Sequence, residues 1–140
     1  MSLPHREAAF PMLASYQDRL DAAHGKATYD ALFDGAPAEI GLHEIDLDKT
    51  VTRVNPAELA LLGYRREEVE GQPAWRFTVL QETSQRAAGK KLAGGGLVPF
   101  VRTFKRADGA ALTMALVERY RRDASGTIVG IRTALTPIEA

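Results

Sequence analysis

Val54-Asn55-Pro56-Ala57-Glu58-Leu59-Ala60-Leu61-Leu62-Gly63-Tyr64-Arg65-Arg66-Glu67-Glu68-Val69-Glu70-Gly71 reads as strand end, cap, helix, stop, short helix, stop. The Asn55 side chain can accept from the free amides of a new helix, and Pro56 suits the first helical position because its missing N–H has no partner there. Leu59 and Leu62, three apart, share a helical face, and Gly63 can take the left-handed conformation that closes a helix. Arg65 to Val69 adds a short polar turn ended by Gly71. A helix of about two turns is not stable alone, so Leu59, Leu62, Tyr64 and Val69 predict a sheet for it to pack on.

Outward from this run the chain alternates as strands. Glu39–Asp46 and Thr50–Val54 flank the turn Asp46-Leu47-Asp48-Lys49 as a hairpin. Downstream, Gln72–Thr78 carries Pro73, Trp75 and Phe77, a polar helix runs from Leu80 to Ala93, and Gly94-Gly95-Gly96 ends it. Leu97–Arg106, Ala110–Arg122 and Thr127–Thr136 are three long strands, with Asp108-Gly109 and Ser125-Gly126 supplying the positive φ of tight turns. Two strands, then helices, then three strands predict an α+β fold with helices on one face of a five-stranded antiparallel sheet.

Val-Asn-Pro-Ala, Leu-Leu-Gly-Tyr and Arg-Glu-Glu-Val-x-Gly at this spacing, continued by Phe104-Lys105-Arg106-Ala107-Asp108-Gly109 and Arg122-Asp123-Ala124-Ser125-Gly126, resemble the pattern of PAS domains. The resemblance covers Tyr29 to Glu139, and Ala31 to Pro37 is similar to the run that opens most PAS cores. It implies strand order 2-1-5-4-3 and a sensory or signalling role, with a cavity between sheet and helices. It divides the chain into an N-terminal helix, residues 1–25, and a PAS domain, residues 26–140. The family commonly ends its last strand with Asp-Ile-Thr; Pro137-Ile138-Glu139 stands here instead, so the carboxylate that fixes the exit is missing and Pro137 ends the ladder.

The N-terminal stretch Arg6–Ala23 places Phe10, Leu13, Tyr16 or Gln17, and Leu20 at helical spacing, with Asp18, Arg19 and Asp21 opposite; Pro11 marks a kink or a first turn. This helix either covers its own domain or pairs with its copy, and the expectation is a homodimer through this helix and the sheet face. Lys26–Asp34 follows as a second helix, ended by Gly35-Ala36-Pro37.

Composition narrows the function. The 140 residues suffice for one core, and 18 Lys+Arg against 18 Asp+Glu draw the chain to neither nucleic acid nor an anionic membrane. No cysteine is present, which excludes disulfides, thiolate metal sites and the flavin-cysteinyl adduct of the light-oxygen-voltage branch. No apolar run reaches the ~20 residues of a membrane span and the start lacks a signal-peptide core, so a soluble, cytoplasmic chain is expected.

The resemblance turns the Met114 and Leu116 face inward, which aims Glu118, with Arg102 near it, at the cavity. Facing each other there, Glu118 and Arg102 would suit a small polar ligand, since a buried charge needs a partner; at the wet end of its strand, Glu118 would instead pair with a surface arginine. Trp75 beside Phe77 either stacks on a planar ligand, a non-covalent flavin included, or fills core. The candidate lining is thus Leu42, Leu59, Leu62, Trp75 and Phe77 with Phe100, Arg102, Phe104, Met114, Leu116 and Glu118. Asn55, Gly63, Gly71, Asp108 and Gly109 form the structural motif.

Haem is disfavoured: haem-binding relatives take their ligand from the helical segment before the third strand, and Leu80 to Gly96 has no His, leaving only His43 inside the core. No Ser-His-Asp order, metal-spaced cluster or P-loop occurs, and Glu67-Glu68-x-Glu70 is a solvated helix face. The expected function is a non-enzymatic module that relays the state of a small ligand or partner to an output domain outside this chain. Two alternatives stand beside it: a small α+β enzyme or ligand carrier using Glu118 as a base, and a purely structural dimerisation module.

Overall fold

The structure, a computed structural model, describes residues 2–139. Helices α1 (Arg6–Asp21) and α2 (Lys26–Asp34) precede the hairpin β1 (Gly41–Asp46) and β2 (Val51–Val54). Helices α3 (Pro56–Leu62) and α4 (Arg66–Val69), a 3-10 turn (Ala74–Phe77) and α5 (Gln81–Leu92) lead to β3 (Phe100–Lys105), β4 (Ala111–Arg122) and β5 (Ile128–Pro137). The five strands form one antiparallel sheet in the order β2-β1-β5-β4-β3. The third strand begins at Phe100 rather than Leu97, after Pro99, whose nitrogen has no hydrogen to give a ladder.

Asn55 is fully buried and uses all four of its side-chain hydrogen-bonding positions. Its Oδ1 accepts from the amides of Glu58 and Leu42, each at 2.9 Å, while Nδ2 donates to the carbonyls of Phe33 at 3.1 Å and Ile40 at 3.2 Å. It caps α3 and at the same time ties that helix to β1 and to the end of α2. Gly63 closes α3 in the left-handed conformation, φ 81°, with its amide on the Leu59 carbonyl at 2.8 Å.

Both faces of the sheet are covered, which is why β1 shows no polar side. On one face Ile45, Val54, Leu62, Phe77, Phe104 and Met114 share a core with α3, α4 and the 3-10 turn. On the other, α1 lays Ala9, Leu13, Tyr16 and Leu20 over Leu42, Ala115, Val117 and Ala134. Within one chain the apolar surfaces of α1 and the sheet cover each other, the first of the two arrangements expected of this helix. The expected lining residue Leu42 is corrected: it lies one residue out of phase with the inward-pointing His43 and Ile45 and so faces α1.

The α1 contact is partly polar. Buried Gln17 donates to the carbonyls of Val117 at 2.8 Å and Arg132 at 3.1 Å, and accepts from the Arg132 guanidinium, which also reaches Asp21. Arg119 reaches Asp18 at 2.8 Å and Asp21 at 2.9 Å. Past β5, the Ile138 amide bonds the Thr113 carbonyl and the Glu139 amide bonds the Pro4 carbonyl, so the chain leaves the sheet beside the start of α1.

Replacing Asn55 by Ala removes a helix cap and leaves the Leu42 amide and two buried carbonyls without partners. The expected cost is about 3 kcal/mol or more, well beyond the ~1 kcal/mol of a cap alone. Denaturant titration measures it, and a loss near 1 kcal/mol would limit Asn55 to capping.

Candidate functional site

Side chains from the inner face of the sheet meet α5 and the 3-10 turn around a cavity of about 60 Å³. His43 and Ile45 come from β1, Thr133 from β5, Leu116 and Glu118 from β4, and Phe100, Arg102 and Phe104 from β3. Ala74, Trp75 and Thr78 close one side, and Ser84, Ala88 and Lys91 line it from α5. The α5 residues stand at helical spacing i, i+4, i+7, so one face of that helix looks into the cavity. The volume holds a few small heavy atoms, one water needing about 15 Å³ on the same measure.

Two acid–base pairs, one partly buried and one buried, hold the walls. Glu118 has a side chain 9% exposed and accepts from Lys91 Nζ at 2.7 Å through one oxygen and from the Thr133 hydroxyl at 2.7 Å through the other. Glu118 is therefore neither at a wet strand end nor opposite Arg102; its partner is the lysine of α5. The Lys91 ammonium also lies 4.1 Å from the Phe100 ring centroid, over the ring face, with Arg102 on the same ring at 5.1 Å.

The second pair joins β1 to α3. His43 Nδ1 lies 2.8 and 3.0 Å from the two Glu58 carboxylate oxygens, and both residues are buried. Gly41 permits this: a Cβ there would come within 2.9 Å of the Glu58 Cβ, so only glycine lets α3 settle so close to β1. Burial by itself would lower the His43 pKa, but the charge and hydrogen bond of Glu58, supported by Glu118 and Glu44, carry it above the ordinary histidine value. With Nδ1 engaged, Nε2 makes no protein hydrogen bond among the described residues, and His43 borders the cavity.

The comparisons agree with this architecture. The PAS domain of an HTR-like protein from Haloarcula marismortui is 23% identical over 80% of this chain and 96% of its own, with a TM-score of 0.66. A domain of a sensory box sensor histidine kinase/response regulator from Geobacter sulfurreducens is 25% identical over 79% and 91%, with a TM-score of 0.63. The chain has the PAS fold. A light-oxygen-voltage domain described with a flavin analogue is also similar, 21% identical over 81% of this chain and 86% of its own, with a TM-score of 0.65. No protein-family model matches the sequence, and no curated protein matches it significantly.

Of the lining residues expected for a PAS cavity, Trp75, Phe100, Arg102, Phe104, Leu116 and Glu118 border it. Leu59, Leu62, Phe77 and Met114 do not: they belong to the adjoining core, where Phe77 packs edge-on against Tyr64, and Leu42 is on the far face. His43, Glu58, Lys91 and Thr133 went unread as site residues. Glu58 had a signal, since it stands four before Leu62 on the buried helical face; so did Lys91, which follows the small residues Ser84 and Ala88 on theirs. Among the described residues no group of three or more His, Cys, Asp or Glu could hold a metal ion, and no helix is long and apolar enough to cross a membrane.

The raised His43 pKa has a definite sign in stability. The folded chain keeps the proton to higher pH than the unfolded chain, whose imidazole titrates near 6.5. The pair's contribution is complete below about 6.5 and is lost as pH climbs through the folded value. Denaturant unfolding across the range from about pH 5 to about pH 9 is expected to show this decline in the parent and not in His43→Gln. Equal slopes in the two would sink the assignment.

Proposed function

We propose that this chain is a sensory module in which residues 26–140 hold a small ligand in the cavity and residues 1–25 carry its state onward. The observation that supports this reading is that cavity and α1 clamp stand back to back through the same two strands. Glu118 pairs with Thr133 and Arg119 with Arg132 across β4 and β5. Neighbours along a strand point to opposite faces, so Glu118 and Thr133 border the cavity while Arg119 and Arg132 grip Asp18, Gln17 and Asp21 of α1. A ligand that draws Lys91 or Glu118 out of their bond acts one residue away from that grip.

Release of α1 would uncover Leu13 and Leu20 on the helix and Val117 and Ala134 on the sheet, surfaces that a second copy could cover. Homodimer rearrangement enters here, as the route to a separate output domain, and the similarity to a sensor histidine kinase domain favours an output of the two-component class.

A catalytic reading has less support. Glu118 is held in an ion pair with Lys91 and a hydrogen bond from Thr133, which favours its ionised form and opposes the proton uptake that a general base would need. A flavin does not fit the cavity as it stands, since about 60 Å³ is well short of the roughly 300 Å³ at which small-molecule pockets begin, and the same holds for haem on His43. A purely structural module would lack any link between cavity and α1.

Lys91→Met breaks the bond to Glu118 and separates these readings. Amide exchange in α1 is expected to accelerate by about tenfold or more, because release of a clamped helix is a local opening. Faster exchange confined to α5, with α1 unchanged, would overturn the relay.

A further inference from the structure

Lys91 holds its charge where a free amine would sit. It belongs to the last turn of α5, a helix whose one buried residue is Ser84, and its neighbour Lys90 is exposed. The Lys91 head instead turns in under the helix, where Nζ donates to Glu118 Oε1 at 2.7 Å and lies 4.1 Å from the Phe100 ring centroid. The Thr133 hydroxyl donates to the other Glu118 oxygen at 2.7 Å, which fixes the carboxylate independently of the cation it faces.

A carboxylate beside an aromatic ring face is the chemistry that recognises an ammonium ion: one supplies charge and a hydrogen bond, the other the attraction of its quadrupole. Neither requires the ammonium to belong to this chain. The Lys91 backbone is held separately, its carbonyl accepting from the Tyr120 hydroxyl at 2.8 Å, so the head can leave by rotation of its flexible four-carbon stem while the helix end stays. The cavity of about 60 Å³ borders Lys91, Glu118 and Phe100 together and gives an incoming cation room beside the one it replaces. Arg102 stands on the same ring at 5.1 Å, and exchange of one ammonium for another leaves the charge it faces unchanged.

Resting on the ligand-sensing reading above, we propose that Glu118 and Phe100 form a receptor site for a small primary alkylammonium ion, and that Lys91 is a tethered plug that fills this site until a free amine displaces it. Ile45, Trp75 and Leu116 give the cavity an apolar wall suited to a short alkyl tail. Room for a few small heavy atoms limits that tail to about two to four carbon atoms. A tethered competitor acts at an effective concentration of millimolar order, so the plug sets a threshold below which free amine leaves the site closed.

The test compares the parent chain with Lys91→Met, which removes the competing charge and keeps a stem of similar length. Each is titrated with ethylammonium chloride at constant ionic strength. Tetramethylammonium, which has no N–H to give Glu118, and ethanol, which has no charge, are the counterparts. The readouts are the thermal midpoint and the fluorescence of Trp75, the only tryptophan. Saturable stabilisation of Lys91→Met by ethylammonium, absent with both counterparts and about tenfold or more tighter than in the parent, is the expected result. Adding Glu118→Gln to Lys91→Met is expected to abolish it.

No response of Lys91→Met to ethylammonium would overturn the site, and a response that survives Glu118→Gln would place the amine elsewhere and overturn it as well. Equal affinity in the parent and Lys91→Met would overturn the plug. Should Lys91→Met not fold, Trp75 fluorescence of the parent decides: a saturable change with ethylammonium that is lost in Glu118→Gln supports the site, and no change overturns it. Amide exchange of α1 in Lys91→Met without any amine judges the sensory reading by itself.

Discussion

One buried amide holds the frame together. Asn55 can make four side-chain hydrogen bonds and makes four, to α2, to the loop before β1, to β1 itself and to the first turn of α3. An isolated cap would satisfy one helix end. This one also sets the angle at which α3 leaves the sheet, and hence the position of Glu58, three residues on. The apolar core supplies attraction without direction, whereas the asparagine supplies direction. Its four partners come from segments up to 22 residues away, so the network forms only when these segments are in place together.

The second constraint is a sheet wrapped on both sides. α3, α4, the 3-10 turn and α5 cover one face, and α1 covers the other. Strand alternation sends the same stretch of β4 into two environments: Glu118 to the cavity, Val117 and Arg119 to α1. No fully buried side-chain nitrogen or oxygen among the described residues lacks a partner. Buried charges so arranged cost desolvation and fix geometry.

Much of this was legible in the order of residues. Asn55-Pro56, Gly63 and the Asp108-Gly109 turn are local devices whose backbone demands are met by few residue types, so the elements between them could be placed within a few residues. Alternation sorted Phe100, Arg102 and Phe104 onto one side of β3 and Met114, Leu116 and Glu118 onto one side of β4, and the resemblance, not the alternation, turned the latter inward; all but Met114 border the cavity. The partners of these residues were not legible, because they depend on contacts between distant segments: Lys91 is 27 residues from Glu118, and Glu58 is 15 from His43. A lysine in a polar helix ordinarily belongs to solvent, and only the folded chain shows which face of α5 is turned in. Leu42 was misplaced by a single position, which in a strand is the whole difference between two faces.

The clamp on α1 is built from directed bonds as well as from apolar contact. Gln17 reaches the carbonyls of two adjacent strands at once, and Arg132 returns two bonds to the same residue. Advancing the helix by one residue would swing Gln17 by about 100° around its axis and break all of these together. An apolar seam could slide or tilt by degrees; this one has a single seated position. The helix is therefore suited to two states, seated or free, with no graded series between them.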